Sequence, residues 1–146
     1  MTYKLVIDID PTDGVVSAWS SDASQGLLTT MADTMGEALA NIRMLIDDFI
    51  LNEWHDLSEW QGVRAADVEF EFEYSLVGFF DAYKALKINE IARMAKLNPA
   101  LVRAYANGDK NPSLAQIEKI QEVVTRLAQS LLSARVVSKT VRPLAA

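Results

Sequence analysis

The chain has 146 residues, with 14 Lys and Arg against 20 Asp and Glu for a net charge of −6, one His and no Cys. The missing cysteine excludes a disulfide framework, a thiolate nucleophile and thiolate metal ligation. No apolar run approaches membrane-spanning length, and Asp8 and Asp10 break the stretch a signal peptide would need, so a soluble cytoplasmic protein is expected.

The net charge hides a split. Residues 1–76 hold three cations (Lys4, Arg43, Arg64) against fifteen carboxylates, a net of −12, whereas residues 77–146 hold eleven cations against five carboxylates, a net of +6. Two modules with different partners are expected, over residues 1–76 and 77–137, followed by a tail at 138–146. Modules this small bury thin cores, and self-association is a common remedy.

In the acidic half, Tyr3, Leu5, Ile7 and Ile9 alternate with Lys4, Asp8 and Asp10, which predicts a strand. Pro11-Thr12-Asp13-Gly14 supplies turn residues before a second strand at 15–20, and 27–31 predicts a third. Thr34 and Glu37 form a T-x-x-E capping box, after which Met35, Ala38, Leu39, Ile42, Leu45, Ile46, Phe49 and Ile50 recur at helical spacing. Residues 54–67 predict a loop, and 68–74 a strand with Val68, Phe70, Phe72 and Tyr74 toward the core beneath the helix. Glu69, Glu71 and Glu73 then form an anionic row on the opposite face, read either as a solvated surface or as a docking surface for a basic protein.

The strand-strand-strand-helix-strand order, with Asp33-Thr34-Met35-Gly36-Glu37-Ala38-Leu39-Ala40-Asn41-Ile42 at the helix start, resembles the HicB-like antitoxin domain, whose members carry a D-T-x-x-E-A-x-x-N stretch there. Where that family often has Asp-Leu-Pro-Gly, this chain reads Asp22-Ala23-Ser24-Gln25-Gly26 and lacks the Leu-Pro. The resemblance covers residues 3–75 and implies a β-β-β-α-β fold similar to part of an RNase H domain, used to bind and block a small mRNA-cutting toxin. Glu69, Glu71, Glu73, Asp8 and Asp10 are the residues expected to meet it.

In the basic half, Phe79, Phe80, Tyr83 and Leu86 suggest a first helix. Asn89 is placed to cap a second at 90–96 with Ile91, Met94 and Ala95 inward, and Leu97 packs in the turn. Asn98 caps a third at 99–107, with Pro99 at its first position, Leu101, Val102 and Tyr105 buried and Gly108 as its stop. Two short capped helices three residues apart have helix-turn-helix spacing. The following Asp109-Lys110-Asn111-Pro112-Ser113-Leu114 resembles the G-x-x-x-P-S element of phage-repressor-like helix-turn-helix domains, over residues 79–124.

That resemblance implies an all-α DNA-binding domain whose third helix enters the major groove, presenting Ala100, Arg103, Ala104 and Asn107. Arg103 suits guanine and Asn107 adenine, while Lys87, Arg93, Lys96, Lys110, Asn111 and the helix start at Ser113 would meet phosphates. The residues themselves also allow a helical dimerisation module that touches no DNA. From 113 to 135, Leu114, Ile117, Ile120, Val123, Val124, Leu127, Leu131 and Leu132 continue without Gly or Pro, more apolar surface than one small domain needs, and a homodimer or higher assembly is expected.

An acidic HicB-like half followed by a helix-turn-helix resembles the antitoxins of HicA/HicB toxin-antitoxin pairs, and implies an α+β protein that neutralises a small basic HicA-like toxin and represses its own operon on double-stranded operator DNA. Two other readings stay open. One is a stand-alone helix-turn-helix transcriptional regulator. The other is an RNase H-like metal-dependent nuclease using Asp8, Asp10, Asp33 and the last-strand glutamates, although Glu69, Glu71 and Glu73 spread at about 7 Å intervals along a strand rather than converging. His55, in the predicted loop and without a Cys partner, is expected to be solvated; no cofactor, metal or catalytic residue is expected.

Overall fold

The structure, a computed structural model, describes residues 1–22, 26–52 and 60–138. Ala23, Ser24 and Gln25, the part of the expected loop that holds Trp54 and His55, and residues 139–146 of the expected tail lie outside these. Four strands come first, β1 (Thr2–Ile9), β2 (Val16–Ser20), β3 (Thr29–Ala32) and, after helix α1 (Met35–Asn52) and a short 3-10 turn (Ala65–Asp67), β4 (Glu69–Tyr74). Helices α2 (Leu76–Ala82), α3 (Ile88–Met94), α4 (Pro99–Ala106) and α5 (Leu114–Ser133) follow, making the protein mixed α+β. Among the described residues no helix is long and apolar enough to cross a membrane.

The sheet order is β3-β2-β1-β4, with β1 antiparallel to β2, β2 antiparallel to β3 and β4 parallel to β1. The β1–β2 turn is held locally: Asp10 Oδ1 accepts from Thr12 N at 2.8 Å and Asp13 Oδ1 from Val15 N at 2.9 Å. These side-chain turns are the reason Asp is favoured there. Thr34 Oγ1 accepts from Glu37 N at 3.1 Å, the forward half of the expected capping box.

The first buried cluster joins Tyr3, Leu5 and Ile7 of β1 to Val16 and Ala18 of β2 and Ala38, Ile42, Ile46 and Phe49 of α1. Trp60, placed by its sequence context in a loop, is instead a fully buried core residue. Its ring lies 5.8 Å from that of Tyr3 and 5.2 Å from that of Phe49, closing the end of the space between helix and sheet.

The strand at β4 also departs from expectation. Phe70, Phe72 and Tyr74 pair with Tyr3, Leu5 and Ile7 and so share the core face, but α1 packs over β2 and β3, and β4 is the edge beyond β1. Phe72 is therefore 38% exposed rather than covered by the helix. Phe70 is shielded from one side by the Arg43 guanidinium, 4.4 Å from its ring centroid.

A second buried cluster holds Phe80, Ile91, Ala92, Ala95, Val102, Tyr105, Ile120 and Val123. Ser75 joins the two clusters: its hydroxyl donates to the Asp8 carboxylate and accepts from Gly78 N at 3.0 Å as the cap of α2. Gly78 permits the junction, because a Cβ there would sit 2.9 Å from the Ile7 carbonyl oxygen.

Helix α3 starts two residues earlier than the capping pattern suggested, with Lys87 at the N-cap making no side-chain cap, so Asn89 lies in the first turn. The buried stripe is Ile91, Ala92 and Ala95, and Met94, expected inside, is 46% exposed. Two residues are about 200° apart around a helix, so with Ala92 inward Met94 points away. Asn98 caps α4 as expected, its side chain accepting from Ala100 N at 2.9 Å, with Pro99 in the first turn. Gly108 has φ +78°, the left-handed conformation expected at the helix end.

Candidate functional site

Two exposed surfaces of different chemistry stand out, one on each half. On the sheet, Glu69, Glu71 and Glu73 are all exposed on the face opposite α1. Parallel register puts Lys4 beside Glu71 and Val6 beside Glu73, and antiparallel register puts Trp19 beside Val6. The face is thus an anionic edge bordering a partly buried apolar pair, Val6 and Trp19. Trp19 was missed from the sequence, although its place between inward Ala18 and Ser20 was a usable signal.

Asp8 and Asp10 also have local partners. The Asp8 carboxylate is engaged by Ser75, and Asp10 builds the β1–β2 turn, also accepting from Gly14 N through its carbonyl at 2.8 Å. By register Asp8, two residues beyond Val6, shares the face of Glu73, and Asp8, Asp10 and Glu73 line one cleft, while Glu69 and Glu71 lie further along β4. Among the described residues no three His, Asp or Glu side chains gather as a metal ion would require.

On the helical half, Ala100, Arg103 and Asn107 are exposed along α4 and Ala104 is partly buried beside them. The Arg103 guanidinium donates to Asn89 Oδ1 across to α3, which fixes its direction. Lys87, Arg93 and Arg103 surround one shallow depression, where Arg93 also pairs with Glu90. Asn107 is the C-cap residue of α4, its N donating to Arg103 O at 2.9 Å.

Lys110, Asn111 and Ser113 are exposed on the connection to α5. Ser113 caps α5 through a reciprocal capping box with Gln116, whose Oε1 also accepts from the Tyr105 hydroxyl. That tie between α4 and α5 went unread in the sequence, although the S-x-x-Q spacing was its signal.

Lys96, also exposed, occupies the turn between α3 and α4 with φ +57°. A side chain in this left-handed region costs about 1–2 kcal/mol that glycine does not. Lys96→Gly is expected to stabilise the helical half by roughly 0.5–1 kcal/mol after the entropy of a more flexible unfolded chain, raising Tm by a few degrees in a thermal melt.

The chain has no match among protein-family models, curated proteins or solved structures.

Proposed function

We propose that this protein is a two-partner antitoxin-like repressor of the cytoplasm, in which the sheet half binds and occludes a small cationic mRNA-cutting toxin of HicA-like kind and the helical half binds operator DNA as a dimer. The observation that carries the reading is the coincidence of charge with packing: the buried cluster of residues 3–68 lies within the −12 segment, and that of residues 80–123 within the +6 segment. Each sign of charge thus belongs to its own core and is presented by its own surface.

The mechanism is occupancy. A toxin that grips RNA must be cationic around its active site, and an anionic sheet face competes for that surface and raises the encounter rate. The β3-β2-β1-β4 order with one helix between β3 and β4 supports the RNase H-like reading of the sheet half. The pair of short helices α3 and α4, joined by the Lys96 turn and with α4 capped by Asn98, supports the helix-turn-helix reading, with α4 in the major groove and Arg103 held by Asn89 as its most capable base reader. Lys87, Arg93, Lys96 and Lys110 supply the phosphate contacts.

Titrating labelled duplex from upstream of the gene with wild type and Arg103→Ala, at several salt concentrations, tests this half. One lost bidentate base contact is worth about 1–3 kcal/mol, so Arg103→Ala is expected to weaken the specific site by roughly 5- to 150-fold while binding to unrelated duplex changes far less. Equal losses on both duplexes would remove Arg103 from base reading.

A further inference from the structure

A cleft of about 1270 Å³ opens between the two halves. Its floor is aromatic: Phe72, Tyr74 and Tyr83 follow one another with ring centroids 6.2 and 6.0 Å apart. Burial, with Tyr83 beside it, raises the Tyr74 hydroxyl above its ordinary pKa. One wall is α5, through Val124, Leu127 and Leu131. The cleft's charged lining is predominantly anionic, Asp8, Asp10, Asp13 and Glu73 against Lys110.

The cleft exceeds the roughly 300–1,000 Å³ usual for small-molecule sites. A helix about 11 Å across rises 1.5 Å per residue, so this space takes about nine helical residues, or two and a half turns. Helix α5 has such a stretch to offer. It runs 20 residues, yet the residues it fully buries, Ile120 and Val123, lie in its first half. Leu131 and Leu132 in its last turn are 62% and 81% exposed. The exposed cations Arg126, which also pairs with Glu122, and Arg135 flank that apolar end and are opposite in sign to the cleft's predominant charge. A helix that lines a cleft cannot also fill it, so the occupant of matching size, polarity and charge is the same helix of another molecule.

We propose that the cleft seats the C-terminal half of α5, residues 124–133, of a second copy of this chain. The two copies exchange helix ends about a twofold axis, so each α5 is at once a wall of its own cleft and the filler of its partner's, as an isologous interface requires. The inference rests on the dimer of the proposed function and not on the identity of its partners.

The natural chain has no cysteine, so introduced ones report cleanly. Full-length Leu132→Cys is mixed with full-length Met31→Cys or Tyr83→Cys, all three positions being exposed and the last two lining the cleft, then oxidised and weighed. A disulfide needs Cα atoms within about 7 Å, so a mixed species marks the helix end in the partner's cleft. The expected result is a mixed disulfide exceeding either like-with-like product. Adding Leu131→Asp to the Leu132→Cys chain should reduce it at least tenfold and shift the mass to monomer, with the thermal melt of the monomer retained. A Leu132-to-Leu132 product alone would overturn the proposal while leaving a dimer for operator binding. A monomer at every accessible concentration would overturn both.

Discussion

Trp60→Ala is expected to cost about 3–5 kcal/mol and to unfold the sheet half selectively. Trp60 is fully buried, and its ring touches both Tyr3 on the central strand and Phe49 near the end of α1, so deleting it opens a cavity at the point where helix and sheet are clamped together. Against a typical domain stability of about 5–15 kcal/mol that is a large fraction. The helical cluster contains neither Trp60 nor its ring partners and should keep its transition. Urea unfolding followed by circular dichroism would then resolve an early loss of sheet signal and a later loss of helix. A single transition shifted by less than about 1 kcal/mol would mean that Trp60 does not clamp the core.

Replacing Glu69, Glu71 and Glu73 together by Lys is the second large effect. All three side chains are exposed on the face away from α1, and Lys is well tolerated on an edge strand, so the fold should survive. The change moves residues 1–76 from −12 to −6. Steered association of charged partners is worth about 10- to 1,000-fold in on-rate, so at low salt the variant is expected to associate with a cationic toxin at least tenfold more slowly, with the difference shrinking as salt rises. Stopped-flow or surface-based association rates at two ionic strengths check this. Rates equal to wild type at low salt would place the docking surface elsewhere.

Features set by local chemistry were legible in the chain before its fold was seen. The alternation around Tyr3, Leu5 and Ile7 gave the central strand and its buried face, and Asn98, Pro99 and Gly108 marked the ends of α4, because caps and turns depend on neighbours a few residues away. Features set by distant partners were not. Trp60 is buried by Tyr3 and Phe49, which no spacing pattern links to it. Alternation assigned Phe72 to the right face but could not say that α1 stops short of the edge strand. Met94 was misplaced because the packing of α3 on α4 and α5 centres its inward face on Ile91, Ala92 and Ala95, a direction that the spacing within α3 does not set.

The candidate surfaces divide the same way. The glutamate row and Arg103 were readable from period and capping. Asp8 was read as part of an acidic surface from its charge, and its bond to Ser75, which depends on how β4 runs into α2, was not legible. Asp10, exposed and read for its charge, also accepts from Thr12 N in the β1–β2 turn, a role that Pro11-Thr12-Asp13-Gly14 made legible.

The most direct measurement is of the complex itself: this chain coexpressed with tagged proteins encoded by its neighbouring genes, purified at low and moderate salt, weighed intact, and any small cationic protein captured assayed with it for the integrity of a reporter mRNA. The account predicts a stoichiometric complex that leaves the mRNA whole, with cleavage restored when the partner is expressed alone. Failure of any such protein to associate, with operator binding intact and sensitive to Arg103→Ala, would contradict the antitoxin reading and leave a transcriptional regulator whose acidic half serves another partner.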